Sequence, residues 1–301
     1  MKHSSHCSLF GELIHSYLPN YKDNINQIII KLVFVTTIFA MIFSFISVSC
    51  HFLKIKSETD ILENNYIITK NDTFLTNHQM YEFKSRNPDF KGYLKIGDTN
   101  IKNPVYQSKN NNYYLTHNQL KKESVFGALF FDCENNISSE SLDKNFIIYG
   151  NKTENGQLFS ELENYKKISF FSQNSNINLS TLYSNTTYAI YSVFIINSKP
   201  EDDGGYIYNY KQKHFSDALE FENWIAEAKH RSIIDTNISA SYGDNILTLV
   251  TDSEEFSGAK LVIMAKSVKE NENINTINSV IAKNPRYPKI YYTQKGIDFP
   301  F

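Results

Sequence analysis

Two side chains of opposite charge border a short turn late in the chain, at positions where side chains often do chemistry. Residues 247–266 read LTLVTDSEEFSGAKLVIMAK, two apolar runs joined by an acidic turn. Asp252 ends the first run and Lys260 opens the second. A carboxylate at a strand end can act as a nucleophile, as an acid or base, or as the partner of a cation. The elements that hold these two residues decide which of these roles is open.

One segment has the length and composition of a membrane span. Residues 32–50 read LVFVTTIFAMIFSFISVSC and carry no charge, and Ile28 to Ile30 extend the apolar run past Lys31. Such a run crosses a hydrocarbon core as a helix and exceeds the apolar part of a cleaved signal peptide. We predict a signal-anchor helix over 28–53 after a cytoplasmic arm over 1–27. In a bacterium, this single-pass topology places the C-terminal domain outside the cytoplasmic membrane, with the lipid bilayer as a partner.

Charge and cysteine usage exclude several classes of function. The 301 residues carry a formal net charge of −2, which gives no reason to expect nucleic acid as a partner. Cys7, Cys50 and Cys133 lie in separate regions, and none has the spacing of a zinc site. We therefore predict no internal disulfide framework, no metal and no cofactor.

After the apolar segment the pattern changes from helical to strand-like. Residues 54–86 carry scattered apolar positions that predict one or two amphipathic helices leading from the membrane, and Asn87-Pro88-Asp89 breaks the pattern. Aromatic and β-branched runs then predict strands. These runs are Gly92–Ile96, Pro104–Tyr106, Ala128–Phe131, Phe146–Tyr149, Ile177–Leu179, Thr187–Ile196, Leu247–Val250 and Leu261–Ala265.

Two helices interrupt the predicted strands. A short one is expected over Phe159–Lys167, and a longer one over Ser216–Arg231 with Ser216 as its N-cap. The apolar face of the longer helix is expected to contain Leu219, Trp224, Ile225 and Ala228. The sequence thus predicts a mostly β domain over 87–268, with strands at intervals that favour a closed or nearly closed barrel, followed by a tail over 269–301.

Several short motifs, taken in order along the chain, resemble those of class B sortases, and the resemblance covers roughly residues 60–268. It implies a closed β-barrel with N-terminal helices and one long helix between late strands. The motifs are Asn87-Pro88-Asp89, Gly92-Tyr93-Leu94-Lys95-Ile96, Asn103-Pro104-Val105, Tyr113-Tyr114-Leu115, Phe146-Ile147-Ile148-Tyr149-Gly150, Gly156-Gln157-Leu158-Phe159, Leu247-Thr248-Leu249-x-Thr251, Glu255-Phe256 and Ala259-Lys260-Leu261-Val262.

The resemblance also implies a function and three positions that carry it. Sortases are membrane-anchored cysteine transpeptidases that cleave a sorting motif in a surface protein and join the new carboxyl end to a cell-wall amine. The family places a histidine after the Tyr-Gly strand, a cysteine after Thr-Leu-x-Thr and an arginine at the start of the last strand. Here these three family positions hold Asn151, Asp252 and Lys260.

Each replacement removes a step of that chemistry. Asn151 has no proton that titrates near neutral pH, and attack by Asp252 on a peptide bond would give a mixed anhydride in place of a thioester. Lys260 keeps the charge of an arginine but loses its planar fork. The resulting interpretation is a catalytically inactive pseudo-sortase; the alternatives are an active transpeptidase that uses non-standard residues, and a product without a role.

Groove shape does not require the thiol, so the retained function is expected to be peptide binding. The predicted partner is a sorting motif or another extended peptide of a surface protein, with an active sortase or a pilin as a further partner. The candidate groove residues are Thr251, Ser253, Glu255 and Tyr149.

Other roles for the charged residues stay open from sequence alone. Asp252 and Lys260 can form an ion pair across adjacent strands, worth little if it is exposed. Lys260 and Asn151, with Asp252 or Glu255 beside them, are also the ingredients of an intramolecular isopeptide bond, which requires a neutral amine in an apolar core.

Three further groups are candidate sources of chemistry. A relocated dyad of Cys133 and His117 would restore a thiol nucleophile with a base, although neither residue lies at a family position. Ser253 has no evident base in the sequence. The carboxylates of the acidic turn 252–255 could hold a cation such as calcium, although such turns are more often solvated loops.

Overall fold

The computed structural model describes residues 17–69, 73–153, 155–269, 272 and 277–301, with only the backbone described for residues 64–69. Most of the predicted N-terminal arm, Cys7 and part of the predicted tail therefore lie outside the described residues. The chain forms two compact units, one that ends at Glu58 and one that begins at Thr59.

The first helix, α1, spans Ile25–Thr69 without a break. Its segment Ile25–Glu63 is long and apolar enough to cross a membrane, and most apolar side chains of that segment are exposed. A continuous exposed apolar surface is unfavourable in water, which agrees with the predicted membrane span. The predicted helical extension over 54–86 consists of the end of α1 and a second helix, α2, over Asn77–Arg86. Thr76 caps α2 in a capping box with Gln79.

The remaining elements alternate between strands and short helices. The strands are β1 Phe90–Ile96, β2 Lys102–Tyr106, β3 Leu129–Phe131, β4 Asn145–Tyr149, β5 Asn176–Thr181, β6 Asn185–Ile196, β7 Ile234–Thr236, β8 Ile246–Asp252, β9 Lys260–Ser267 and β10 Ser279–Ile281. The helices are α3 Tyr113–Thr116, α4 Ile168–Gln173, α5 Ala218–Arg231 and α6 Lys289–Lys295, with 3₁₀ helices over Ser160–Lys166 and Pro200–Asp203. The first of these 3₁₀ helices occupies the place of the short helix predicted over Phe159–Lys167.

Eight of these strands close into a barrel in the order β1-β2-β3-β4-β8-β9-β6-β5, and β5 pairs with β1 to complete it. The predicted closed barrel is confirmed, and every predicted strand lies within a strand of the barrel or overlaps one. Closure leaves the barrel without a free strand edge, so the sheet offers no edge at which another chain could pair.

The pairing of β4, β8 and β9 brings the family positions towards one end of the barrel. β4 and β8 are parallel, with Tyr149 opposite Val250, so both strands end at the same side. β8 and β9 form an antiparallel hairpin in which Asp252 lies opposite Lys260. Asn151 follows β4 by two residues and so leaves the sheet at the same end as Asp252.

Helix α5 packs on the outside of the barrel through Phe221, Trp224, Ile225 and Ala228, which join an apolar cluster with strand residues. Two expectations for this helix were wrong. Its N-cap is Asp217, whose side chain accepts a hydrogen bond from Glu220 N at 2.9 Å, whereas Ser216 Oγ donates to Glu220 Oε2. The helix therefore begins later than predicted, and Leu219 is 65 % exposed while Phe221 is buried.

The described part of the predicted tail contains both a strand and a helix. β10 pairs with β7 in a two-stranded sheet, and Ala282 N donates to Ile233 O at 2.9 Å. The start of α6 is fixed by a hydrogen bond from Lys289 N to Asp203 Oδ1 at 2.9 Å. These contacts attach the last residues of the chain to the elements that follow β6.

Candidate functional site

Asp252 and Lys260 form an ion pair at the turn end of the β8–β9 hairpin. Their Oδ1 and Nζ atoms are 2.5 Å apart, and their side chains are 69 % and 36 % exposed. Because β-strand side chains alternate, Asp252 and Lys260 lie on the same sheet face as Val250 and Val262, the face that packs beneath α5 further along the strands. The ion pair expected from the sequence is therefore present, and it is solvated.

Asn151 uses its amide to hold a neighbouring loop. Its Nδ2 donates to Leu115 O at 2.8 Å and to Phe126 O at 3.0 Å. These two carbonyls lie at either end of the segment that joins α3 to β3. An imidazole could not make both donations from a single nitrogen, so the amide at this position acts as a clamp on the loop.

The glycine before Asn151 allows close packing at the end of β4. A Cβ at Gly150 would lie against Leu129 Cδ2 and 2.7 Å from Phe159 Cδ2, inside normal contact distance. Leu129 and Phe159 are both fully buried. The backbone therefore passes here at a distance that only glycine permits, and this fixes where residue 151 leaves the strand.

The conditions for an isopeptide bond are not met at these residues. Lys260 is paired with a carboxylate and more than one third exposed, so its amine lies outside any apolar core. The amide nitrogen of Asn151 is engaged by two main-chain carbonyls. The apolar surroundings that an isopeptide-forming lysine requires are therefore absent around Lys260.

The two glutamates of the acidic turn each pair with a lysine from another part of the chain. Glu254 Oε1 lies 2.6 Å from Lys152 Nζ, and Glu255 Oε1 lies 2.6 Å from Lys166 Nζ. Hydrogen bonding to Lys152 lowers the pKa of Glu254. Among the residues that the structure describes, no group of three or more acidic, histidine or cysteine side chains is arranged to hold a metal ion. The carboxylates of this turn are neutralised by lysines, which removes the argument for a calcium site.

Lys166 is the centre of this network and was not identified from the sequence. It lies in the 3₁₀ helix Ser160–Lys166 and contacts Glu163 Oε2 at 2.6 Å as well as Glu255. Burial alone would lower the pKa of Lys166, but the hydrogen bonds and charges of Glu163 and Glu255 outweigh that effect and raise it. Lys166 is therefore charged at neutral pH.

Lys166 also supplies the neighbour that Ser253 lacked in the sequence. Its Nζ lies 3.2 Å from Ser253 Oγ, the geometry of a serine–lysine pair. A lysine acts as a general base only when it is neutral, and the raised pKa of Lys166 keeps its proton in place. Ser253 and Lys166 are therefore close enough to form a catalytic dyad, but Lys166 lacks the neutral amine that such a dyad requires.

The candidate groove residues differ in accessibility. Thr251 is 3 % exposed, shares a sheet face with Leu247 and Leu249, and its buried Oγ1 has no hydrogen-bond partner among the described residues. Ser253 is buried at the edge of the turn, whereas Glu255 is partly exposed. Tyr149 is half-buried, and its hydroxyl donates to Asp132 Oδ2 at 2.9 Å.

Cys133 and His117 each contact other groups, so the structure does not bring them together as a dyad. The imidazole ring of His117 stacks on Tyr113 with ring centres 4.1 Å apart, and its Nδ1 lies 3.0 Å from Tyr113 O. Burial raises the pKa of the Cys133 thiol, and the charges of Asp132 and Glu134 raise it further. A thiol held in its neutral form is a poor nucleophile, so a relocated dyad is not formed here.

Comparison with known proteins gives one consistent group of relatives, although no model of a protein family matches the chain. Sortase B of Listeria monocytogenes is 29 % identical over 221 residues, which are 71 % of this chain and 86 % of that protein. Sortase B of Staphylococcus aureus is 26 % identical over 193 residues, which are 64 % of this chain and 75 % of that protein.

Solved structures give the same relationship. The X-ray structure of Clostridium perfringens sortase B is 31 % identical, with a TM-score of 0.56 over 63 % of this chain and 99 % of that chain. A Staphylococcus aureus sortase B–substrate complex is 23 % identical, with a TM-score of 0.62 over 73 % of this chain and all of that chain, and it supports the fold.

Proposed function

The chain belongs to the class B sortase family, and from that premise we propose that it binds an extended surface-protein peptide without transferring it. The observation that carries this proposal is the state of the three family positions. Asn151 clamps a loop through its amide, and Asp252 is paired with Lys260 in solvent. None of these contacts leaves a thiolate, a titrating base or an oxyanion donor where sortase chemistry needs one.

Peptide binding is supported by relatives and by the retained framework. Solved sortase B proteins include a complex described with a substrate and another described with triglycine. In this chain the strands that border the family positions are regularly paired, β4 with β8 and β8 with β9, so a peptide could lie along them. Backbone hydrogen bonds and side-chain pockets give affinity to an extended peptide without any covalent step.

The proposed setting is the outer face of a bacterial cytoplasmic membrane. α1 would anchor the chain as a single-pass helix with the N-terminus inside, and the barrel would face the cell wall. There the barrel would hold a sorting motif or a related extended peptide, and it would assist an active sortase or a pilin in assembly.

The proposal is tested on the full chain in lipid nanodiscs with sorting-motif peptides that related sortases cleave. We expect saturable peptide binding by fluorescence anisotropy, no cleavage, and no acyl adduct by intact mass. As a positive control, Asn151→His, Asp252→Cys and Lys260→Arg are combined to return the three side chains that the family uses.

Turnover by the unmodified chain that is abolished by Asp252→Ala would overturn the proposal in favour of a transpeptidase with non-standard residues. Absence of peptide binding by the unmodified chain, under conditions where the combined variant binds or cleaves, would overturn the binding function.

A further inference from the structure

A cationic groove lies beside α3. It includes Tyr113 of that helix, but none of the three family positions and none of the candidate peptide-groove residues. It has a volume of about 630 Å³ and is formed by the start of β1 and the residues before it, the segment from β2 to the start of α3, the segment between α3 and β3, and the residue Cys133 after β3. Tyr113 is the first residue of α3, while Leu115 of the same helix accepts the hydrogen bond of Asn151. The volume of the groove is in the range of sites that bind small molecules or short peptide segments.

The charge of the groove is positive although the whole chain is slightly acidic. Three lysines line it, Lys91, Lys109 and Lys121, together with one aspartate, Asp89. Asp89 Oδ2 lies 2.8 Å from Lys121 Nζ and also accepts a hydrogen bond from Tyr114 at 2.8 Å. Within the described part of the chain, Lys91 and Lys109 have no carboxylate at ion-pair distance, so their charges are available to a ligand.

One wall of the groove is held in an uncommon backbone conformation. Lys121 has a φ of +59°, in the left-handed region that residues other than glycine rarely adopt. The turn around it is fixed by Asn118, whose carbonyl accepts from Lys121 N at 2.9 Å and whose Oδ1 accepts from Leu120 N at 2.9 Å. Such conformations persist where the surrounding structure imposes them, and they are frequent at ligand-binding segments.

The polar groups favour a carboxylate over a phosphate as the ligand. Phosphate sites usually present free main-chain N–H groups at a helix start or in a nest. Here the N–H groups of Asn112 and Tyr113 at the start of α3 already donate to Asn110 Oδ1, at 2.9 Å and 3.0 Å. A dianionic phosphate would also be repelled more strongly than a carboxylate by Asp89.

We propose that this groove is a second binding site, which takes an acidic peptide segment whose carboxylates pair with Lys91 and Lys109. The aromatic ring of Tyr113 and the polar side chains of the loop after β2 provide contacts for the peptide between its charges. The site does not depend on the proposed peptide-binding function of the barrel end, because it shares no residue with it.

The test titrates fluorescent hexaglutamate into the full chain in uncharged nanodiscs, with hexaglutamine as the neutral probe. We expect hexaglutamate to bind with an affinity that falls as salt rises, and hexaglutamine to bind at least about ten-fold more weakly, on the order expected when several charge pairs are lost. Lys91→Gln and Lys109→Gln should each weaken hexaglutamate binding roughly two- to five-fold, the range of exposed charge pairs. Lys199→Gln, an exposed lysine outside the groove, should leave it unchanged.

A second readout locates the ligand without relying on the lysine variants. Cys133 lines the groove, so bound hexaglutamate should slow its alkylation by maleimide in a chain with Cys7→Ser and Cys50→Ser. Equal binding of the two probes, equal losses in Lys199→Gln and Lys91→Gln, or unprotected Cys133 at saturation would each overturn the proposal. Competition with free glutamate gives the reference concentration of charge that displaces hexaglutamate. Displacement by inorganic phosphate in the millimolar range, or by anionic vesicles, at a lower concentration of charge than this reference would also overturn the proposal, because either result would assign the groove to phosphate groups. Failure of sorting-motif peptides to bind would leave this result unaffected.

Discussion

Asp252 and Lys260 are direct cross-strand partners on the last rung of the β8–β9 ladder, and their side chains meet there as an ion pair. In the family this rung carries the reactive thiol and its oxyanion donor; here it carries two charges that neutralise each other. The neighbouring turn repeats the arrangement, because Glu254 and Glu255 pair with Lys152 and Lys166. The end of the barrel has thus become a set of paired charges.

The exposed Asp252–Lys260 pair is expected to add little stability. Because both side chains are solvated, a double-mutant cycle with Asp252→Asn and Lys260→Gln should give a coupling of about 0–1 kcal/mol, and less at high salt. The measurement is denaturant unfolding of the full chain in detergent, followed by the fluorescence of Trp224, the single tryptophan, which α5 buries against the barrel. A coupling of several kcal/mol would mean that the pair is shielded from water in solution.

Asn151 is expected to matter more for stability than the charged pair. Asn151→Ala removes donors from Leu115 O and Phe126 O and should lower the free energy of unfolding by about 1 kcal/mol. Asn151→Asp should lower the free energy of unfolding further, because it places a carboxylate, which can only accept hydrogen bonds, against the same two carbonyl oxygens. The exposed Asn136→Ala is the matched control, and the same tryptophan fluorescence measures all three. Equal stability of the Asn151 and Asn136 variants would show that the clamp is not formed.

Gly150 offers a test of the packing that sets the direction of Asn151. Gly150→Ala forces a methyl group against Leu129 and Phe159 and should destabilise the barrel by about 1–3 kcal/mol. Gly243→Ala is the control, because a Cβ there meets no atom within 4 Å. Similar unfolding midpoints for the two variants would mean that the end of β4 can move aside.

Much of the barrel could be predicted because its strands have strong local signals. Runs of aromatic and β-branched residues predict β6, β8 and β9 directly, and the sequence places Asp252 and Lys260 on the two sides of one short turn. The structure adds that β8 and β9 pair with each other, with Asp252 opposite Lys260. The start of α5 was misplaced since Ser216 and Asp217 are both favourable N-caps, and only tertiary packing of Phe221 selects between them.

The part of the site that could not be predicted depends on contacts between distant segments. Lys166 and Glu255 are 89 positions apart, and nothing local to either residue indicates the other. The same limit applies to the contact between Asp203 and Lys289 that attaches α6. Sequence patterns indicate which face of a helix or strand is buried, whereas these pairs depend on how the closed barrel brings distant segments together.

The buried carboxylate of Asp132 predicts a specific dependence of stability on pH. Burial alone would raise its pKa, but hydrogen bonds from Glu134 N, Tyr149 and Asn111 and the charge of Lys213 outweigh burial and lower it. A carboxyl whose pKa is lower in the folded state stabilises the fold above its unfolded value of 3.8 and loses that contribution as pH falls through the folded value.

Between about pH 5 and pH 2, the free energy of unfolding should therefore fall less in Asp132→Asn than in the unmodified chain. The free energy of unfolding is measured by tryptophan fluorescence at each pH. The control variant Asp298→Asn, at an exposed position, should show the same dependence on pH as the unmodified chain. An unchanged acid slope in Asp132→Asn would mean that another group governs acid unfolding.

Ser253 is expected to be unreactive at neutral pH although Lys166 lies within hydrogen-bond distance. Glu163 and Glu255 raise the pKa of Lys166, so its proton remains on the amine and the serine hydroxyl finds no base. A fluorophosphonate probe should therefore leave the intact mass of the full chain unchanged at pH 7, and the combined variant Glu163→Gln, Glu255→Gln should show more labelling as pH rises. Ser253→Ala in that background identifies the labelled oxygen. Labelling of the unmodified chain at pH 7 that Ser253→Ala removes would reverse this assignment and make Ser253 the residue at this end of the barrel that can form an acyl bond.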